Sequence, residues 1–155
     1  MPRLPAPYLS DSGKDASDAA AEGSALPYED SNMLTIELPW PDAKLAPNRS
    51  KGLHWAKTSG LKAKAFEAAF LLTADAVRSH KGEWFDLTSQ QVPLTITFNP
   101  PDKRRRDSDN LLSAMKHSLD GVATALTIDD SKFNPIILRR GESRKGGVVT
   151  VEVGA

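Results

Sequence analysis

The chain has 155 residues, of which 39% are hydrophobic and 26% charged, and its 20 cations balance 20 acids. That is the size and make-up of one soluble globular domain; no apolar run approaches the ~20 residues a membrane helix needs, and no basic-then-apolar signal pattern opens the chain. With no cysteine, disulfides and thiolate–metal sites are excluded, a reducing cytoplasm is the expected setting, and any metal must be held by oxygen or imidazole.

Residues 1 to 31 are rich in Ala, Ser, Asp, Gly and Pro and show neither the helical nor the strand period, so they read as a disordered acidic tail. The domain proper is expected over 32 to 155. Leu34, Ile36 and Leu38 alternate with Thr35 and Glu37, which predicts a half-buried strand stopped by Pro39 and Pro41. A Pro- and Gly-containing loop follows. From Thr58 the helical spacing of Phe66, Phe70 and Val77, with Ala69 and Ala76, predicts a long helix, with Gly82 just past its end.

Val92, Leu94, Ile96 and Phe98 alternate with Pro93, Thr95 and Thr97 and predict a second strand, stopped by Pro100 and Pro101. Leu112, Met115, Leu119, Val122 and Leu126 form the stripe of one second helix. "NPIILRR" is a third strand and "GGVVTVEV" a fourth, with 141 to 147 as a hairpin connection between them. The order β-α-β-α-β-β predicts an α/β (α+β) domain: one mixed four-stranded sheet with two helices packed on it. Strand order does not follow from the pattern.

The charge balance of zero hides an asymmetry. The tail carries a net −4 and the rest of the chain a net +4. The cations cluster at Arg49, Lys51, Lys57, Lys62 and Lys64, at Lys103 to Arg106, and at Arg139, Arg140, Arg144 and Lys145. Grouped cations suit a polyanion such as DNA, although a solvated face explains any one group equally well.

Directly after "KRRR" come Asp107 and Asp109, one residue apart. Asp109 opens the second helix, and an N-cap with Asp107 favouring the helix dipole is the plainer explanation of this pair. An EF-hand does not fit, since the next ligand position is Leu111 and its glycine is missing. A nucleotide-sugar transferase also uses an Asp-x-Asp pair, but no nucleotide-binding pattern accompanies it here. Two features favour a functional pair. Ser113, Lys116 and Asp120 fall within about 40° of Asp109 around the helix, on a polar stripe beside the buried face. A second acid pair, Asp129 and Asp130, lies in the turn before the third strand, and would return towards Asp107 if that strand lies beside the second. Converging carboxylates make a hard-oxygen site for Mg²⁺ or Mn²⁺, which would relieve their repulsion and leave the arginines for phosphates. Lys116–Asp120 can equally be a surface i, i+4 pair, and Asp129–Asp130 an ordinary turn.

"IELPWP" in the first strand, "LAPNRSKGLHWAK" before the first helix, "RRRDSDNL", and "DDSKF" before the third strand together resemble the RusA-type Holliday junction resolvases of bacteria and their prophages, over roughly residues 33 to 153. The resemblance implies a Mg²⁺-dependent endonuclease that nicks four-way DNA junctions symmetrically as a homodimer, leaving 5′-phosphate and 3′-hydroxyl ends. It matches the family's metal-binding aspartates to Asp107, Asp109 and one of Asp129 and Asp130, with Asp130 favoured, and its asparagine to Asn110. The family's lysine position is held here by Ser113, a departure from the pattern. Lys116 stands three residues on and keeps the family's spacing to Asp120, so it is the candidate that would stabilise charge on the phosphate, with Arg104, Arg105 and Arg106 as the local alternatives. Arg104 to Arg106, Asn110, Asn48, Arg49 and Lys51 are the candidate DNA contacts. A junction-binding protein that has lost catalysis is the rival reading, supported by Ser113. His54 and Trp55 suggest a proton shuttle and a base-stacking platform, but packing of Trp55 over the sheet edge and local capping by His54 are the simpler expectations. His80 and His117 are expected to face solvent and Phe133 to enter the core.

Overall fold

A computed structural model describes residues 33–52, 54–80 and 91–154. The expected tail and Gly82 lie outside them. Strand β1 (Leu34–Pro39) is followed by a 3-10 turn (Ala43–Leu45), a single helical turn (Pro47–Ser50) and helix α1 (Trp55–Ser79). Strand β2 (Val92–Asn99) leads through the basic loop into α2 (Ser108–Ala114) and α3 (Lys116–Ala125). A 3-10 turn (Asp130–Lys132) then enters β3 (Phe133–Arg140), and β4 (Val148–Val153) closes the domain. The class is the expected one: α+β, with a single mixed sheet and its helices.

The sheet runs β1-β4-β2-β3. β4 lies antiparallel between β1 and β2, with Ile36 opposite Val151 and Val151 opposite Ile96. β3 lies parallel to β2 on its other side, with Ile96 opposite Leu138. Residues 141 to 147 are therefore not the expected hairpin. They carry the chain across β2, so that the valines of β4 fill the centre of the sheet, where a strand is paired on both edges. Gly147, at positive φ, passes within 2.9 Å of Trp40 and Pro101 at its Cβ position, which leaves no room for a side chain there.

The alternation in β1, β2 and β4 buries Leu34, Ile36, Leu38, Val92, Leu94, Ile96, Phe98, Val149, Val151 and Val153 on one face. Met115, Leu119, Val122, Leu126 and Phe133 join them as expected. Helix α1 packs on β1 and α3. Gly121 makes that crossing possible: a Cβ on it would strike the Phe66 carbonyl oxygen and approach Phe70 N to 3.1 Å. Phe66, Phe70, Ala76 and Val77 of the predicted stripe are only half-buried, and Ala69 and Thr73 are the fully buried residues of this face.

The expected single second helix is two. Met115 has φ −91° and ψ 0°, and its amide donates to the Leu112 carbonyl at 3.0 Å, a tighter bond than the helical one. No Pro or Gly marks the break. Met115 is wholly buried, so the packing beneath it, and not local propensity, sets the bend. The first helix also begins at Trp55, three residues before the expected start, because His54 caps it: the ring Nδ1 accepts from the Ala56 amide at 3.2 Å.

Candidate functional site

The parallel pairing of β2 and β3 decides where the acids sit. The basic loop and α2 begin at the carboxyl end of β2, where Phe98 lies opposite Arg140. Arg140, the last residue of β3, donates through Nη2 to the Arg106 carbonyl and to Ser108 Oγ (3.0 Å). The edge strand thereby holds the start of the Asp-Ser-Asp-Asn segment in place. Nothing in the sequence singled out Arg140 for this; only the parallel register brings it there.

Asp107, not Asp109, occupies the N-cap position of α2, and its side chain makes no capping hydrogen bond. The expected cap at Asp109 is thus not formed, and Asp107 answers only to the helix dipole there, its side chain making no capping bond. Asp107 lines a cleft of about 380 Å³ with Asn110, Arg49, Arg105 and Arg106. Asp109 lies in the first helical turn and is exposed, with Oδ1 accepting from the Asn110 amide at 3.0 Å. Arg49 and Lys51 are exposed on the segment before α1. The side chain of Asn48 lies outside what the structure describes.

The four cations of the loop are not equivalent. Asp102, which sequence reasoning passed over, neutralises two of them. Arg104 bonds it at 3.1 Å and Arg106 at 2.9 Å. Chiefly the Arg104 hydrogen bond holds the Asp102 carboxyl far below its ordinary range. Arg106 has only 18% of its side chain exposed, against 79% for Arg104. It also donates to the carbonyls of Asp102 and Arg104 and lies 5.5 Å from the Trp40 ring centre. Arg106 thus holds the loop together. Lys103 and Arg105 are exposed and make no ion pair among the described residues. The signal for Asp102 was present in "PDKRRR", an acid two and four residues before arginines.

The second acid pair comes back to a different part of the helix. Lys116 Nζ bonds Asp120 Oδ1 at 2.8 Å and Asp130 Oδ2 at 3.0 Å. Both carboxylates raise the Lys116 pKa, Asp120 the more, so the amine stays charged. Asp129 caps its 3-10 turn by accepting from the Ser131 amide at 2.9 Å, which lowers its pKa. Of the two, Asp130 is the one turned towards α3. Ser113, Lys116, His117 and Asp130 line a groove of about 600 Å³ with Lys44, Lys62, Leu112 and Ile136. The predicted stripe is present only in part: Ser113 at the end of α2 and Lys116 at the start of α3 face one groove, to which Asp130 returns, and Asp109 does not line it. The structure does not gather Asp107, Asp109 and Asp130 into one cluster: among the described residues no three carboxylate or imidazole groups stand close enough to hold an ion.

Two other expectations fail. His117 is half-buried, and desolvation, with Lys62 nearby, lowers its pKa; His80 is half-buried as well. Trp55 does not pack over the sheet edge, since 71% of it is exposed.

The fold and these clefts define a small α+β domain with carboxylates and cations in two clefts, one beside α2 and one beside α3. The chain belongs to the same family as an uncharacterized protein of Xylella fastidiosa, to which it is 32% identical over 124 residues, covering 78% of this chain and 76% of that one. No protein-family model matches the chain.

Proposed function

We propose that the protein is a Mg²⁺-dependent, structure-selective DNA endonuclease of the RusA type, which hydrolyses phosphodiester bonds at four-way junctions. The observation that carries this reading is Asp107: a carboxylate spared from capping, beside Asp109 and facing a cleft shared with Arg49, Arg105 and Asn110. Two carboxylates one residue apart, repelling each other, suit a hard divalent cation. Asp107 and Asp109 are the donors that fit Mg²⁺ or Mn²⁺. Asp130, the third acid of the resemblance, is held by Lys116, and would have to give up that bond to join them.

When bound, such an ion supplies polarisation of the scissile phosphate and a more acidic water. Arg105, Lys103 and Arg49 bind backbone phosphates, and Arg106, tied to Asp102, keeps the loop in shape for them. Lys116 keeps its proton and offers positive charge on the α3 edge, where it would stabilise the phosphorane-like transition state.

A homodimer is the assembly that would suit a two-fold junction. The rival reading is a junction-binding protein without catalysis, favoured by Ser113 in the family's lysine position and by the engagement of Lys116 with two acids. A nicking assay on synthetic four-way junctions, with and without Mg²⁺, tests both. Metal-dependent paired nicks are expected. Tight binding with no nicks in Mg²⁺ or Mn²⁺ would establish the rival.

A further inference from the structure

Trp55 is the largest exposed apolar side chain of the described residues, and the proposed nuclease chemistry gives it no task. Its backbone is fixed from both sides. His54 caps the helix that Trp55 opens, and Thr58, which is buried, donates from Oγ1 to the Trp55 carbonyl at 3.1 Å. The His54 ring lies 5.9 Å away at a tilt of 31° and flanks the indole on one side. The result is an indole held out in water on a fixed stretch of backbone. A large aromatic surface with only two side-chain torsions to fix is suited to binding by stacking.

The surroundings specify the partner. Between Asp42 and Glu67 the chain carries Lys44, Arg49, Lys51, Lys57, Lys62 and Lys64 and no acid. All six are exposed, and none is ion-paired among the described residues. An unbalanced cationic surface around an aromatic plane is complementary to a polyanion that carries flat rings, and a protein partner would bring its own acids without needing the ring. Position adds a constraint. Lys62 is seven residues after Trp55, two turns along the same helix face, and it lines the groove that holds Lys116 and Asp130. At the helical rise, the indole and that groove are separated by about 10 Å along α1, roughly three nucleotides of a strand.

We propose that Trp55 is a stacking platform for an unstacked base, with Arg49, Lys51, Lys57 and Lys62 holding the phosphates of the same strand. This rests on the endonuclease reading and deepens it: selectivity for branched DNA would come from the unstacked base that a branch point offers and an intact duplex does not.

Fluorescence anisotropy in metal-free buffer tests this with the full-length chain and three labelled DNAs: a 15-nucleotide single strand, a duplex of equal length, and a four-way junction. Trp55→Ala should weaken single-strand and junction binding by about tenfold or more, and duplex binding by no more than about twofold. Trp55→Phe, which keeps a ring, should recover most of the loss. The platform is overturned if Trp55→Ala binds all three DNAs as wild type does, or loses affinity equally for all three. It is also overturned if Trp55→Ala changes the sedimentation of the free protein, since the indole would then be a contact between copies of the chain. Wild-type protein that binds no DNA would sink the endonuclease reading together with the platform, whereas nicking by Trp55→Ala at wild-type affinity removes the platform alone.

Discussion

Lys116 and Asp130, 14 residues apart, meet at 3.0 Å because β3 pairs parallel to β2 and returns the chain to the helix edge it has just left. The same ammonium holds Asp120 one turn along α3 at 2.8 Å. A surface pair between Lys116 and Asp120 was foreseeable from their spacing. The second partner converts it into a link between a helix and the entry to a strand. Lys116 thereby sits among acids where the sequence had placed a phosphate-binding role, and Ser113, one turn earlier, faces the same groove.

That arrangement sharpens the test of the lysine. Lys116→Ala should lower the cleavage rate by on the order of a hundredfold with little change in junction affinity, the signature of a group that acts in the transition state. Ser113→Lys in the same background should restore part of the rate if that position faces the reacting phosphate. Full activity of Lys116→Ala would leave Lys116 a surface pair worth no more than about 1 kcal/mol of stability.

The pH dependence of that pair has a definite sign. Both acids raise the Lys116 pKa above its ordinary 10.5. Its stabilising contribution is therefore fully present below the unfolded value and is lost as pH rises through the higher folded one. The difference in melting temperature between wild type and Lys116→Ala should stay constant from about pH 6 to 9 and shrink only above the ordinary lysine value. A difference that vanished near neutrality would mean that the ammonium is not held by these carboxylates.

Asp109→Asn should abolish Mg²⁺-dependent cleavage while the protein stays folded and still binds junctions. Asp109 is exposed and, among the described residues, bonds only the adjacent amide, so the change to asparagine costs little stability. Removing its charge also reduces repulsion of phosphate, and binding should hold or tighten. Wild-type cleavage by this variant, measured on a labelled junction, would reject the acid pair as the metal site.

Arg105 and Arg106 should separate cleanly. Arg105→Ala should reduce the slope of log affinity against log salt by about one, with the melting temperature unchanged, as befits a free cation on phosphate. Arg106→Ala should lower the melting temperature instead, because it removes bonds to Asp102 and two carbonyls and the contact over Trp40. Equal effects of the two changes on the salt slope would contradict this division of labour between Arg105 and Arg106.

Gly121→Ala should destabilise the domain by about 1–3 kcal/mol, read as a lower thermal or urea midpoint. The added methyl would meet backbone of α1 at Phe66 and Phe70, and the Ala69 Cβ at 3.2 Å. An unchanged midpoint would show that the two helices can part at no cost.

The sequence by itself determined the strands and the class of fold. Leu34, Ile36 and Leu38, then Val92 to Phe98, then Val149, Val151 and Val153 carry a period of two that only a one-sided sheet satisfies, and the bounding prolines stop it locally. It also determined that Lys116 and Asp120, four residues apart within one helix, share an edge, because helical angle within an unbroken helix is a function of spacing alone. Three things were decided only in three dimensions. The insertion of β4 between β1 and β2 has no local signature, since an alternating strand pairs equally well at an edge or at the centre until all four compete for partners. The break at Met115 comes from the core beneath it, not from any residue that interrupts a helix. The fate of the charges in "DKRRRDSDN" depends on distances that spacing does not define: Asp102 pairs with Arg104 and Arg106, Arg140 arrives from β3 to hold the loop, and Lys116 takes Asp130. Coulombic partners are chosen by whichever opposite charge the fold brings within about 4 Å, and a linear reading of charge cannot rank candidates that only the sheet register brings together.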